Sequence, residues 1–478
     1  MSYEKLELLI GGEWTNGTAG KTEPVINPAT EEVLAEVPHA STDDLDRALQ
    51  AALDGFKIWR SKTALERQVI MSKAADLMEA RKEDIARTLT QEMGKPVAES
   101  RIEMDFVISV TRWYGEEGKR AYGRLVPSRI PGARQMVLKE PVGPAAAFVA
   151  WNFPGTNVIR KIAGALGAGC SIIIKPSEET PGTAIAIARC FQDAGTPAGV
   201  VNVVFGVPDE VSRHILASPI PRKVSFTGSI PVGKHLQKLA AETLKRCTME
   251  LGGHAPVMVF DDVDVEQAVN LSFGGKFRNA GQVCISPTRF YVQEGVYEQF
   301  VDAFTEKASS IKVGNGLDDD TMMGPLIAPR RLDWMETLVS DAKSHGAKIT
   351  TGGERLGNQG YFFAPTVLKD VPEDARMMNE EPFGPIVPMA PFKDEDEVIE
   401  RANRLEFGLA AYAFTSSGER AMRLAGAIET GLLGINHLGV ATPETPFGGV
   451  NESGYGSEGG IEGLEAYLRT KFVTEIAV

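Results

Sequence analysis

The chain is poor in cysteine and histidine, with four and six among 478 residues. Cys170, Cys190, Cys247 and Cys284 fit no zinc spacing, and four in so long a chain make no disulfide scaffold. No metal is expected. No apolar run approaches the roughly 18 residues that a membrane span needs, so no membrane partner is expected. The opening MSYEKLELLIGGEW has no basic region followed by a long apolar one, so no secretory signal is read in it and a cytoplasmic location is expected. Positive charge is in deficit: 50 Lys and Arg stand against 64 Asp and Glu, a net −14. That balance repels nucleic acid over most of the surface, and an anionic substrate would need locally placed Arg or Lys. Repeats and low-complexity tracts are absent.

What is present is an ordinary folded composition, 43% hydrophobic and 24% charged, in a chain too long for one core. Residues 8–40 read as short strands and turns. At Ser41 the text turns helical, with an acid-rich first turn after a capping residue. Further helical blocks are expected at 64–93 and 97–119. Pro131-Gly132 then separates two extended runs, which predicts a hairpin at 121–140. From PAAAFVAW onward, short apolar runs alternate with helical segments through VGKHLQKLAAETL. A second alternation begins near PVMVF at 256 and runs to PIVPMAPF. Alternation of this kind predicts α/β architecture with parallel strands covered on both faces. Ligands of such sheets bind beyond the carboxyl ends of strands. The residues there are Trp151-Asn152, Lys175 to Glu178, Gly206 and Thr227-Gly228-Ser229. The polar, Gly-rich ETPFGGVNESGYGSEGG reads as a loop lining a site.

Within SFTGSIPVGKH, Gly228 to Lys234 spells G-x-x-x-x-G-K, but His235 stands where a P-loop has its magnesium-binding Ser or Thr. On its own this is as readily a plain strand-to-helix turn as a dinucleotide site, and a triphosphatase is disfavoured. Lys175 and Glu178 could grip a ribose from both sides, or form a solvated turn. Cys284, in NAGQVCIS beside Gly and Gln, is unlike a packing cysteine and is a candidate nucleophile. Glu250, before two glycines, is a candidate general base or a surface Glu; His254 has no spacing that supports a Cys–His pair. Asn152 could donate to a developing oxyanion, with the Cys284 N–H as second donor.

In order, WNFP, KPSE, FTGSIPVG, ELGG, GQVC, EEPFGP and PFGGVNESG span essentially the whole chain and resemble the aldehyde dehydrogenase superfamily. The resemblance implies a Rossmann-like NAD-binding domain (1–120 and 141–252), a second α/β catalytic domain (253–452), and a small β oligomerisation hairpin (121–140) with a terminal strand (462–478). In the family these two segments pair across subunits, implying a homodimer or homotetramer. It assigns Cys284 as nucleophile, Glu250 as base and Asn152 as oxyanion donor. Trp151, Lys175, Ser177, Glu178, Gly228, Ser229, Gly233, Leu251, Glu381 and Phe383 would contact the cofactor, NAD in preference to NADP because Glu178 would repel a 2′-phosphate. Arginines at Arg160 and Arg278 are similar to those of succinate-semialdehyde dehydrogenases, which hold the distal carboxylate of a small aldehyde. Thr442 would stand in for a serine of that subfamily, and Phe447 would line the substrate site. A broader or aromatic aldehyde substrate, and a non-catalytic NAD-binding structural protein, are the competing readings.

Overall fold

Runs such as IIIK and AAAF have no polar face, so their strands must be covered on both sides. The computed structural model describes residues 3–476 and buries both along their whole length, at Ile172–Lys175 and Ala145–Phe148. They lie in the middle of an eight-stranded sheet. Its order is Glu13–Thr15, Leu8–Ile10, Val201–Val203, Ile172–Lys175, Ala145–Phe148, Lys223–Thr227, Arg246–Glu250 and Gly454–Tyr455. The interior pairs are parallel and the edge pairs antiparallel. Ala145–Phe148 comes first in the parallel series. The next two strands are added on one side of it and the following two on the other. The switch in direction falls between Ala145–Phe148 and Lys223–Thr227, and their helices, Pro154–Ala168 and Ile230–Ala241, leave from the crevice this opens.

The second alternation forms a seven-stranded sheet: Lys348–Thr351, Thr366–Lys369, Ile386–Phe392, Pro287–Gln293, Ala255–Val259, Ala410–Phe414 and Leu432–Ile435. All pairs but the first are parallel. Each sheet has its own apolar core. This is the expected α/β architecture.

Helix Thr42–Ser61 starts as predicted. Ser41 Oγ accepts from the Asp44 N–H, and Asp44 Oδ2 accepts from the Ser41 N–H at 2.9 Å, a reciprocal capping box. The expected 64–93 block is two helices, Ala64–Ala80 and Lys82–Met93, because the backbone leaves helical geometry at Arg81 (φ −104°, ψ 8°), and both halves then pack against Pro181–Asp193. Helix Val97–Glu117 packs along Pro154–Ala168, which brings its acidic residues beneath the crevice. The Gly-rich stretch near the end is not only loop: Gly454–Tyr455 closes the first sheet beside Arg246–Glu250, with Gly454 opposite Glu250. Two-residue strands in polar sequence carry no periodicity to read.

The hairpin appears as Arg124–Val126 and Ala133–Pro141. Within the chain, Leu468–Ile476 pairs antiparallel with Ala133–Pro141 over nine residues, from Leu468 opposite Pro141 to Ile476 opposite Ala133. Residues 477–478 of the terminal segment lie outside the described residues. Among the described residues no helix is long and apolar enough to cross a membrane.

Candidate active site

Three strands of the first sheet deliver their following residues to one place. Ala145–Phe148 leads into Trp151-Asn152-Phe153, Lys223–Thr227 into Gly228-Ser229, and Arg246–Glu250 ends on Glu250 itself. Helix Val265–Phe277 of the second unit ends at Arg278 and turns through 279–281 to Cys284. Between them lies a cavity of about 500 Å³ whose walls include Asn152, Glu250, Cys284, Arg160, Arg278 and Phe447. Trp151, Gly228, Ser229, Leu251, Glu381 and Phe383 also reach it.

The glycines explain why distant motifs meet. Asn279, Ala280 and Gly281 all have positive φ (50°, 52° and 73°), a left-handed turn that aims the chain at Cys284. A Cβ on Gly281 would lie 2.2 Å from the Gly384 carbonyl, so GQVC is seated directly on EEPFGP. A Cβ on Gly253 would lie 2.7 Å from the Cys284 carbonyl, so ELGG is seated on GQVC. The Gly253 N–H donates to Glu381 Oε1 at 3.1 Å, and Ser453 Oγ donates to the Gly252 carbonyl at 2.7 Å. Trp151 meets Phe383 edge to face at 5.5 Å.

Asn152 is buried, and its amide has one orientation that satisfies its neighbours. Nδ2 donates to the Gln282 carbonyl at 3.1 Å, and Oδ1 accepts from Asn157 Nδ2 at 3.2 Å. That leaves the second Nδ2 hydrogen unspent among the described residues, on a side chain that lines the same cavity as Cys284.

Burial dominates the electrostatics. Both oxygens of Glu250 are buried, without a hydrogen-bond partner among the described residues. Burial first, then the Glu458 carboxylate, holds its pKa well above the usual carboxylate range, with Lys161 and Arg160 opposing. Burial pushes the Cys284 thiol up to about 12, helped by Glu381 and Glu250 and opposed by Arg160 and Arg278. Glu381 is raised by burial to about 7, against the Gly253 N–H and Arg331. Arg160 is 6% exposed, forms no ion pair among the described residues, and its Nε has no partner. Its guanidinium lies 4.0 Å over the Phe447 ring and 5.3 Å from Phe106. Arg278 lies 5.2 Å from the Phe153 ring, likewise without an ion pair among the described residues.

The other sequence candidates sit elsewhere. Lys175 and Glu178 pair with each other at 2.5 Å at the end of Ile172–Lys175, and Glu178 also accepts the Gly206 N–H at 3.2 Å. Ser177 donates to Glu179. None of these three lines the cavity, though they share its edge of the sheet. Gly233 is inside a helix, its N–H bonded to the Ser229 carbonyl at 2.9 Å; a Cβ there would strike Leu251 at 2.4 Å, so it makes room for Leu251. Thr442 is exposed and faces Thr445 Oγ1 at 3.1 Å, while its neighbour Ala441 lines the cavity. His254 is buried away from the cavity, with Nδ1 on Thr288 Oγ1 at 2.8 Å.

Residues 14–473 match the pattern of the aldehyde dehydrogenase family. The chain belongs to that family. It is 47% identical to the 4-(hydroxymethyl)benzenesulfonate dehydrogenase of Comamonas testosteroni, over 99% of each chain. It is 43% identical to the 3-sulfolactaldehyde dehydrogenase of Pseudomonas putida, over 99% of this chain and 97% of the other. The crystal structure of a succinate-semialdehyde dehydrogenase from Burkholderia pseudomallei superimposes with a TM-score of 0.98 at 41% identity, covering 99% and 98% of the two chains.

In this aldehyde dehydrogenase, sequence reading passed over Lys95, Glu99, Glu103, Asn157, Lys161 and Glu458. Glu99 accepts the Asn279 N–H at 2.8 Å, and Lys161 pairs with Glu458 at 2.5 Å, buried beside Glu250. A signal for two of them was available: Glu99 and Glu103 stand one turn apart on a single helix face.

The raised thiol gives a direct check. At about pH 8 Cys284 is protonated, so its alkylation by iodoacetamide should climb about tenfold per pH unit. Glu381 is ionised at that pH, and Glu381→Gln removes the larger of the two carboxylate influences holding the thiol up. Alkylation of Cys284, followed by peptide mass spectrometry against Cys247, should quicken about 3–10-fold. An unchanged rate would remove Glu381 from the causes and leave burial and Glu250.

Proposed function

We propose that this aldehyde dehydrogenase oxidises a small aldehyde carrying a distal anion to the corresponding acid, using NAD in preference to NADP. The observation that carries the anion is Arg160: a buried guanidinium without a counter-ion, in the same cavity as Cys284, with Arg278 also lining it. A buried charge without a partner is costly, and a ligand carboxylate or sulfonate would supply the partner. Succinate semialdehyde is the first candidate. Relatives named for a benzenesulfonate and for 3-sulfolactaldehyde support a sulfonate in the same place, and the Phe106 and Phe447 rings around Arg160 support an aromatic aldehyde as the second reading.

In the proposed mechanism Cys284 gives up its thiol proton to water, and the Sγ thiolate attacks the aldehyde carbon. The free Nδ2–H of Asn152 and the Cys284 N–H hold the resulting oxyanion. The dinucleotide, when bound, supplies the hydride acceptor. Glu250, unpartnered and with a raised pKa, takes a proton from the water that attacks the thioester, and Cys284 departs as thiolate. The residues present fit the dinucleotide. Ser229 starts helix Ile230–Ala241 with no side-chain bond into it, leaving first-turn N–H groups for a pyrophosphate. Glu178 and Glu381 are carboxylates suited to ribose hydroxyls, with Lys175 beside the first.

NAD⁺ should give the higher kcat/KM, because Glu178 beside a 2′-phosphate is repulsive; Lys175 softens this to a preference. Equal efficiency with both cofactors would remove Glu178 from that role.

Glu250→Gln should leave a first-turnover burst of NADH and then slow the steady rate about 10²–10⁴-fold. In the wild type, hydrolysis should be lost as pH falls through the raised pKa of Glu250, and the variant should lack this limb. Stopped-flow absorbance that shows no burst, with Cys284 still alkylated normally, would contradict the assignment.

Arg278→Ala and Arg160→Ala should each lower kcat/KM for succinic semialdehyde about 10–100-fold, while butyraldehyde changes little. A charge-assisted hydrogen bond contributes ~1.5–3 kcal/mol, and each ~1.4 kcal/mol is about tenfold. The double variant should lose less than the product if both arginines hold one anion. A panel extended to 4-carboxybenzaldehyde and 4-sulfobenzaldehyde ranks the two readings. Equal losses on butyraldehyde would withdraw the anion assignment.

A further inference from the structure

The turn that carries Asn152 is held from behind by a buried ion pair that the mechanism above does not use. Lys95 and Glu103 are 1% and 4% exposed, and Lys95 Nζ lies 2.7 Å from Glu103 Oε2. Lys95 Nζ also donates to the backbone carbonyl of Asn152 at 3.0 Å and sits 3.8 Å over the Phe153 ring. The other oxygen of Glu103 accepts the N–H groups of Gly155 and Thr156, both at 2.9 Å. Glu103 thus caps helix Pro154–Ala168 from a neighbouring helix, since the helix's own N-cap residue, Phe153, provides no side-chain bond.

The pair therefore grips one turn at two points, the carbonyl of residue 152 and the first N–H groups of the helix. Asn279 Nδ2 adds a second donor to the same carbonyl at 2.9 Å, tying the turn to the loop before Cys284. Burying a lysine and a glutamate is a poor way to gain stability, because desolvation offsets most of their attraction and a well-packed apolar pair serves as well. What an apolar pair cannot do is donate to one carbonyl and accept two N–H groups in fixed directions. The carbonyl so fixed belongs to Asn152, which lines the same cavity as Cys284.

We propose that Lys95, braced by Glu103, is a positioning residue for Asn152, holding its amide where the oxyanion forms. This rests on the reading of Asn152 as oxyanion donor.

The test is a double-variant cycle on the full-length enzyme with NAD⁺, using both succinic semialdehyde and butyraldehyde. Lys95→Met should lower kcat/KM for both aldehydes about 10–100-fold, the scale of a misplaced catalytic group. The KM for NAD⁺ and the alkylation rate of Cys284 should stay as in the wild type. In an Asn152→Ala background the same Lys95→Met change should cost less than about twofold, because the group it positions is gone. An equal loss in both backgrounds would overturn the proposal, as would a changed Cys284 alkylation rate, since Lys95 would then act through the loop or the fold. Asn152→Ala alone leaving kcat/KM intact would instead bring down the oxyanion reading itself. Should Lys95→Met fail to fold with Glu103 left unpaired, Lys95→Met with Glu103→Gln, in both backgrounds, makes the same comparison.

Discussion

The arrangement depends on how closely backbone meets backbone at Gly252-Gly253. Strand Arg246–Glu250 ends the first sheet's parallel series, and Ala255–Val259 starts in the second, so four residues join the two cores. A side chain at Gly253 would collide with the Cys284 carbonyl, and one at Gly252 would meet Glu381 Oε2 at 2.6 Å. With both glycines, Glu250 comes from one sheet and Cys284 from the other into the same cavity, and the freed Gly253 N–H binds Glu381. The antiparallel return of Gly454–Tyr455 beside Glu250 locks the link from its far side. The geometry of the cavity is thus set by main-chain contact, which does not drift as flexible side chains do.

Charge is distributed with a plain division. Lys95 with Glu103 and Lys161 with Glu458 are buried and paired. Glu250 and Arg160 are buried, line the cavity and have no ion-pair partner among the described residues. Desolvation penalises all six, and only the paired ones recover that cost within the protein. The unpaired ones keep an unfavourable environment that a substrate, water or reacting thiol can relieve. Within the crevice, Glu250 and Cys284 are both held well above their ordinary ranges, chiefly by burial. The same logic separates Lys175 and Glu178 from them: expected as two arms around a ribose, they stand 2.5 Å apart, each satisfying the other until something intervenes.

Much of this was legible in the sequence because parallel α/β folds write themselves in alternation. Every strand and helix expected from PAAAFVAW to VGKHLQKLAAETL is present, since strands buried on both faces read as mostly apolar runs. The meeting of Asn152, Glu250 and Cys284 followed only from motif order, because nothing local in WNFP, ELGG or GQVC states that they touch. Lys95 and Glu103 were harder to read: Lys95 lies between helices Lys82–Met93 and Val97–Glu117, and Glu103 had only its spacing from Glu99 to mark it. A charged residue on a helix reads as solvent-facing, and only tertiary packing of Val97–Glu117 against Pro154–Ala168 turns it inward. Thr442 shows the limit at single-residue scale: in an irregular stretch, one position decides whether a hydroxyl faces the cavity, and Ala441 occupies it.

The P-loop likeness of SFTGSIPVGKH dissolves for reasons that also explain its spacing. A phosphate cradle needs free N–H groups and a lysine turned inward. Here Gly233 has spent its N–H within helix Ile230–Ala241, Lys234 reaches out to Glu452, and His235 pairs with Asp209 at 2.9 Å on the exposed side. The second glycine is small because Leu251 rests on it, and Leu251 is the residue after Glu250. Seating that leucine draws the helix onto ELGG and presents its first turn, with Ser229 and Gly228, to the crevice. The two glycines therefore belong to two different tasks, one at the turn and one in the packing beneath it. Whatever anion-binding capacity the segment has comes from the helix start and not from Lys234.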